Sequence, residues 1–321
     1  MLFSSESLPV YAIATASAIA VASVVIFARY KIKSRNTRKQ SPVISHIVIY
    51  PIKGCKGVER YSAHVSKNGL VHDREYAVVI LDKEKPGHCV ALSQSKHPRL
   101  SLVSPTNIYD DSITISAHGN GTIVHQPVMK GKEYWMDFYG DQIQAVDQGD
   151  TASRWFSDFL GEEVRFVRIT QDKKRKTSAG SLKPATIFYK TPVLVVSSES
   201  LDSLSKSVGE TLHHNRFRPN LVLSGLSPFE EDTLAGFCVG PLSLTGTELC
   251  DRCSIPGVDQ STGQLNTGLL GQLRRARQGP AIKSRYPVKE DQYYVGLYTE
   301  PSVSKNASTR IYVGQSVERL Y

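Results

Sequence analysis

The sequence predicts a β-rich α+β body of two folded units behind one N-terminal membrane-spanning helix. The chain has 321 residues, more than one compact unit usually holds when domains run to ~100–200 residues. Residues 7–28 carry no charge and are rich in Ala, Val and Ile, and a bilayer-spanning helix needs ~20 such residues. Most of the remainder is broken into short β-branched runs separated by Gly, Asn and Asp.

The apolar run opens with Pro9, which a helix tolerates in its first turn. Arg29, Lys31, Lys33, Arg35, Arg38 and Lys39 follow it with no acid among them, and Glu6 is the only charge before it. A cleaved secretory signal carries its positive charge on the other side. The pattern is that of a signal anchor, with residues 7–28 in the membrane and 29–41 as a basic juxtamembrane segment. Basic flanks stay in the cytosol, so everything after residue 28 is expected to face it.

The anchor flank also explains much of the formal net charge of +9. A second basic cluster, Lys173, Lys174, Arg175, Lys176 and Lys183, lacks interleaved aromatics. Topology signal and solvated loop therefore account for the charge better than nucleic-acid binding does. Cysteine occurs at 55, 89, 238, 250 and 253. In a reducing compartment such a set does not predict structural disulfides.

After the anchor, residues 42–170 read as a first, mostly antiparallel β unit with strands at 44–50, 75–81, 112–116 and 164–169. One helix is expected at 151–160, where Thr151 supplies a cap before Trp155, Phe156 and Phe159. Residues 171–183 are basic, Ser-containing and without apolar periodicity, and so read as a linker or mobile loop. The second unit spans 184–321. It has strands at 193–196, 221–223, 241–249, 293–298 and 311–313, and a capped helix at 198–208.

Chemistry first shows at Cys250-Asp251-Arg252-Cys253. Thiolates are soft metal ligands, and this spacing serves zinc sites and redox switches. Structural zinc needs a second pair, and a thioredoxin-type motif needs a helix where Pro256 and Gly257 stand. Zinc, redox and two inert buried thiols all remain open from the pair alone.

The surroundings of the pair narrow the choice. Asn215-Arg216-Phe217-Arg218-Pro219-Asn220 precedes it, and Val258-Asp259-Gln260-Ser261-Thr262-Gly263 follows. Far upstream stand Tyr50-Pro51-Ile52-Lys53-Gly54-Cys55-Lys56-Gly57 and Asp73-Arg74-Glu75-Tyr76. In this order the motifs resemble the MOSC family over nearly the whole chain, and within it the mitochondrial amidoxime-reducing components. That resemblance implies a MOSC N-terminal β-barrel-like unit followed by a MOSC core unit.

It also implies a pyranopterin molybdenum cofactor (molybdenum-molybdopterin) bound between the units, with Cys253 as the metal ligand and catalytic residue. Lys53, Arg74, Arg218 and Arg252 match cationic contacts to the cofactor, and the Arg fork suits its phosphate. Thr191 and Asn220 match a hydroxyl contact and a pterin-edge contact. Gly54 and Asp251 stand where the family has Ser, and Ser93-Gln94 replaces an Arg-Gln step.

The implied activity is reduction of N-hydroxylated small molecules, amidoximes and hydroxylamines. The chain has neither a Gly-rich dinucleotide fingerprint nor iron–sulfur cysteine spacing. Electrons are then expected from NADH through a reductase and a small b-type cytochrome, with the basic stretch 171–183 as a docking candidate. The implied address is the outer mitochondrial membrane, with the endoplasmic reticulum as the alternative. Two other functions fit the resemblance: a membrane-tethered cofactor carrier and a MOSC-type sulfur transfer protein. The sulfurases add a pyridoxal-phosphate domain, for which this chain has no room.

Overall fold

Period-two alternation in the first half of the chain builds a closed barrel. The computed structural model describes residues 41–109, 111–138, 141–169, 174–176, 182–184, 191–303 and 309–321. Tyr76–Leu81 pairs antiparallel with His88–Ala91 on one side and Arg165–Arg168 on the other. His88–Ala91 runs parallel to Glu133–Phe138, which pairs with Asp141–Asp147, and that strand returns to Arg165–Arg168. The ring is thus closed, as the expected barrel-like unit requires. Ala77, Val79, Tyr134, Met136, Ile143 and Ala145 fill its interior at every second position.

The alternate residues Tyr76, Val78 and Phe166 face outward into a second core. There the helix Asp150–Leu160 packs Ala152, Trp155, Phe156 and Phe159. Thr151 lies inside this helix. Gly149, at φ 86°, takes the cap position, and the Asp147 carboxylate accepts from its N–H at 2.8 Å. The sequence reading misplaced the cap because it had no signal for this glycine-led entry.

The second half centres on an eight-stranded sheet. Val193–Ser197, the helix Ser198–Val208 and Leu221–Ser224 form a β-α-β unit whose two strands run parallel. Ser197 caps the helix by accepting from Ser200 N at 3.0 Å. Tyr294–Ser302 and Leu242–Asp251 continue the sheet antiparallel. A further helix, Thr267–Arg277, was not expected: its only buried apolar side chains are Leu269 and Leu273, too few to show a period.

Strand pairing crosses the sequence division at 170/184. Val43–Ile49 pairs with Leu221–Ser224 inside the eight-stranded sheet, and Ser62–Ser66 pairs with Thr309–Tyr312. Residues 42–321 consequently form one compact unit. Within the stretch expected as a linker, Lys174–Lys176 pairs with Asp141–Asp147, and Leu182–Pro184 pairs with Lys174–Lys176. These strands extend the barrel sheet, since edge pairing uses backbone groups and tolerates Lys. The other residues of 171–183 lie outside the described ones, as do residues 7–28 and 29–40 with their anchor reading. Among the described residues no helix is long and apolar enough to cross a membrane.

Candidate active site

The backbone connections between the two halves place five expected site residues around one cavity of about 740 Å³. Tyr50, at the end of Val43–Ile49, donates its N–H to Asp73 Oδ1 at 2.7 Å. The other Asp73 oxygen accepts from Arg74. Arg74 Nη1 then reaches Asn220 Oδ1 at 3.2 Å, and Nη2 reaches the Arg218 carbonyl at 3.0 Å. Arg218 closes the circuit by donating to the Cys55 carbonyl at 2.6 Å.

Both arginines stack against one ring: the guanidinium carbons of Arg74 and Arg218 lie 4.7 and 4.3 Å from the Tyr50 centroid. Both also hold left-handed backbone, at φ 53° and 54°. Non-glycine residues adopt that region at a cost of about 1–3 kcal/mol, which the surrounding bonds must offset. Such strain gathers where a side chain must be aimed.

Lys53 enters the same wall and donates to the Leu92 carbonyl at 2.8 Å. Burial lowers its ammonium to about 8, helped by the Arg218 charge and opposed by Cys253. Gly54, beside it, has φ 85°, and a Cβ there would meet Leu100 Cδ1 at 3.0 Å. A side chain would be strained at this position. Arg252 turns its guanidinium to the carbonyls of Phe217, at 2.8 Å, and Val295. It lines the cavity while bracing the strand ends.

The two cysteines of the motif separate cleanly. Cys250 is buried at 1% exposure against Leu194 and Tyr298, and burial pushes its thiol pKa up. Cys253 is exposed and lines the cavity. Its carbonyl accepts from the Tyr293 hydroxyl at 2.8 Å, and Tyr293 O accepts from Arg252 N at 2.9 Å. The thiol therefore stands on a fixed backbone.

Lys53, Arg74, Arg218, Arg252 and Cys253 line the cavity, whereas Thr191 and Asn220 do not. Thr191 is buried two residues ahead of the strand Val193–Ser197. Asn220 is fully buried, and its amide serves the protein: Oδ1 accepts from Arg74 and from Leu194 N, and Nδ2 donates to Val48 O at 3.3 Å. It clamps the cavity wall from behind.

Arg216, Gln94 and Arg274, which the sequence reading did not assign to the site, also line the cavity. Arg216 sits in the motif that nominated Arg218, yet it bonds to Val258 O at 3.2 Å and pairs with Glu210 and Asp259. Gln94 exchanges amide bonds with Gln260 at 3.2 Å and donates to Gly54 O at 2.6 Å. Arg274 belongs to the helix that had no periodicity signal. Asp251 is the only acid among the lining residues. A cationic pocket with one exposed thiol can hold an anionic ligand and a soft metal together.

Two family models match the chain. The MOSC N-terminal beta barrel domain matches residues 41–163, and the MOSC domain matches residues 172–318. The chain belongs to the MOSC-domain family. Among relatives of this MOSC chain, mitochondrial amidoxime reducing component 2 of Rattus norvegicus is 30% identical over 95% of the chain and 90% of its own length. The protein of the same name from Bos taurus is 31% identical over 72% of the chain and 71% of its own length. A molybdenum cofactor sulfurase of Caenorhabditis elegans is 26% identical over 85% of the chain, which spans 37% of that protein.

Proposed function

We propose that this MOSC protein holds a pyranopterin molybdenum cofactor through Cys253 and reduces N-hydroxylated small molecules such as amidoximes and hydroxylamines. The observation that carries the reading is the exposed Cys253 thiol on a pocket wall formed by Lys53, Arg74, Arg218 and Arg252. The residues present fit the group: a thiolate suits molybdenum, and guanidinium forks suit a pterin phosphate. When bound, the cofactor would supply the two-electron redox chemistry of the reaction.

The protein's own part is positional. Tyr293 and Arg252 fix the Cys253 backbone, and metal binding keeps that sulfur deprotonated. Lys53, with its pKa near 8, keeps most of its positive charge at neutral pH and places it beside the sulfur. Arg74 and Arg218, stacked on Tyr50, set a second positive centre for the phosphate. Overall, the N-hydroxy oxygen leaves as water as two electrons and two protons are consumed, giving the amidine or amine.

Electrons come from NADH through a reductase and a b-type cytochrome, and residues 7–28 anchor the protein in the outer mitochondrial membrane with its body in the cytosol. The names of the relatives support the substrate class and the organelle. The likeness to a molybdenum cofactor sulfurase supports a second reading, in which the protein acts on the cofactor, as in sulfur transfer, and not on N-hydroxylated substrates. The test is to purify the full chain in detergent, measure molybdenum and pterin, and assay benzamidoxime reduction with a chemically reduced dye. Molybdenum near one equivalent with turnover, both lost in Cys253→Ala, is the expected result. Full molybdenum without turnover would move the protein to the carrier class. A persulfide on a cysteine would identify sulfur transfer.

A further inference from the structure

Three side chains from three separate elements converge outside the cavity just described. His46 lies on Val43–Ile49, Glu59 on the adjoining Val58–Arg60, and His214 on the short turn His214–Arg216. Glu59 pairs directly with Val48, and His46, two residues from Val48, shares that sheet face. The His46 and His214 ring centroids are 4.7 Å apart, and His214 Nε2 lies 3.3 Å from Glu59 Oε1. One donor atom from each residue falls within 4.8 Å of the others, the only such group among the described residues.

We propose that His46, Glu59 and His214 form a binding site for a divalent transition-metal ion of the zinc class. Two imidazoles and a carboxylate are the donor set such ions take, at ~2.0–2.2 Å from each ligand atom. The His214–Glu59 separation already suits ligands sharing one ion, and the His46 donor atom lies within 4.8 Å of both.

Ser45 orients the His46 ring. Its Oγ donates to Val222 O at 3.0 Å and lies 3.2 Å from His46 Nδ1. Nε2 is then the ring nitrogen left for a metal. Burial, and then the neighbouring His46 and His213, hold His214 below the usual histidine range against the opposing charge of Glu59. Glu59 is exposed and opens the group to solvent.

Lys56 and Arg218 line the adjoining cleft of about 230 Å³ together with Glu59 and His214. Their charges oppose cations in general. Binding must therefore come from nitrogen coordination, which selects zinc-class ions over calcium and magnesium. An ion on His214 would also pin the turn from which Arg216 and Arg218 reach the cofactor cavity.

The test is calorimetric titration of the full-length protein with Zn²⁺, and separately with Mg²⁺, for wild type, His46→Ala, Glu59→Gln, His214→Asn and Cys253→Ala. The last variant removes the exposed thiol, which is a competing zinc ligand. The expected result is one equivalent of Zn²⁺ in wild type and Cys253→Ala, no Mg²⁺ binding, and affinity at least about tenfold weaker in each of the other three. Exposed Glu59 makes Glu59→Gln the variant that keeps the fold, and its melting temperature without zinc checks this. Zinc binding by folded Glu59→Gln and His214→Asn at wild-type strength would overturn the proposal, as would loss of the equivalent in Cys253→Ala.

Discussion

Arg74 donates to the carbonyl oxygen of Arg218 at 3.0 Å, so one cation of the cavity wall fixes the backbone of another. Arg74 is also the partner of Asp73, which is buried at 1% exposure. Removing one member of a buried pair leaves the other charge uncompensated, at a cost of about 3–5 kcal/mol. Arg74→Ala should therefore unfold at a clearly lower denaturant concentration and lose cofactor. Arg74→Lys keeps the charge but not the fork, and should fall between. Unchanged unfolding of Arg74→Ala would show that the pair does not hold the wall.

Arg218 offers a narrower test of the cavity. Losing a charge-assisted contact to a phosphate costs about 1.5–3 kcal/mol, roughly ten- to a hundredfold in affinity. Arg218→Ala should retain less molybdenum after dialysis than Arg154→Ala, whose side chain is exposed on the helix Asp150–Leu160. Equal molybdenum by elemental analysis would remove Arg218 from the site.

A third prediction concerns pH. Glu231 is fully buried, and burial, reinforced by the charge of Asp232, raises its pKa to about 7. Its carboxyl accepts from Ser197 N at 3.2 Å and Ser200 Oγ at 2.9 Å, tying the start of the helix Ser198–Val208 to a loop. Between the unfolded value, ~4.5, and about 7 the unfolded chain has released the proton while the folded chain keeps it. Stability should fall as pH rises through that window and level off above it. The contribution is on the order of 1–3 kcal/mol. Glu231→Gln should flatten this slope in denaturation measured across pH 4.5–8; a slope identical to wild type would assign it to other groups.

The parts legible in the sequence were those with local cause. The strand at 193–196 is wholly buried between neighbours and reads as an unbroken apolar run, and the helix at 198–208 carries its own Ser197 cap. The Cys253 and Arg218 motifs lie in contiguous stretches and could be read without tertiary structure. Closure of the barrel depends on the parallel pairing of Glu133–Phe138 with the distant His88–Ala91, which no local pattern encodes. The same holds for Gln94, whose partner Gln260 is 166 positions away. Asn220 shows the converse. Its motif marks it as part of the site, while its amide is spent on Arg74, Leu194 and Val48.

The last prediction separates the two motif cysteines. Cys250 packs against Leu194 and Tyr298 with its thiol pKa raised by burial, whereas Cys253 is exposed on the cavity wall. The thiolate is the reactive form, so iodoacetamide should label Cys253 in the folded, cofactor-free protein and leave Cys250 untouched. Bound cofactor should protect Cys253. Cys253→Ala should abolish molybdenum binding and N-reduction with little change in the melting temperature of the cofactor-free protein, because an exposed side chain contributes little packing. Cys250→Ala removes one buried sulfur and should cost about 1–2 kcal/mol while keeping substantial turnover. A zinc or disulfide role needs both thiols, and then each substitution would do comparable damage to stability and activity alike. Peptide mass spectrometry after labelling, with molybdenum content and benzamidoxime turnover of both variants, distinguishes these cases. Equal loss in the two variants, or full turnover in Cys253→Ala, would remove Cys253 from its place as the single protein ligand.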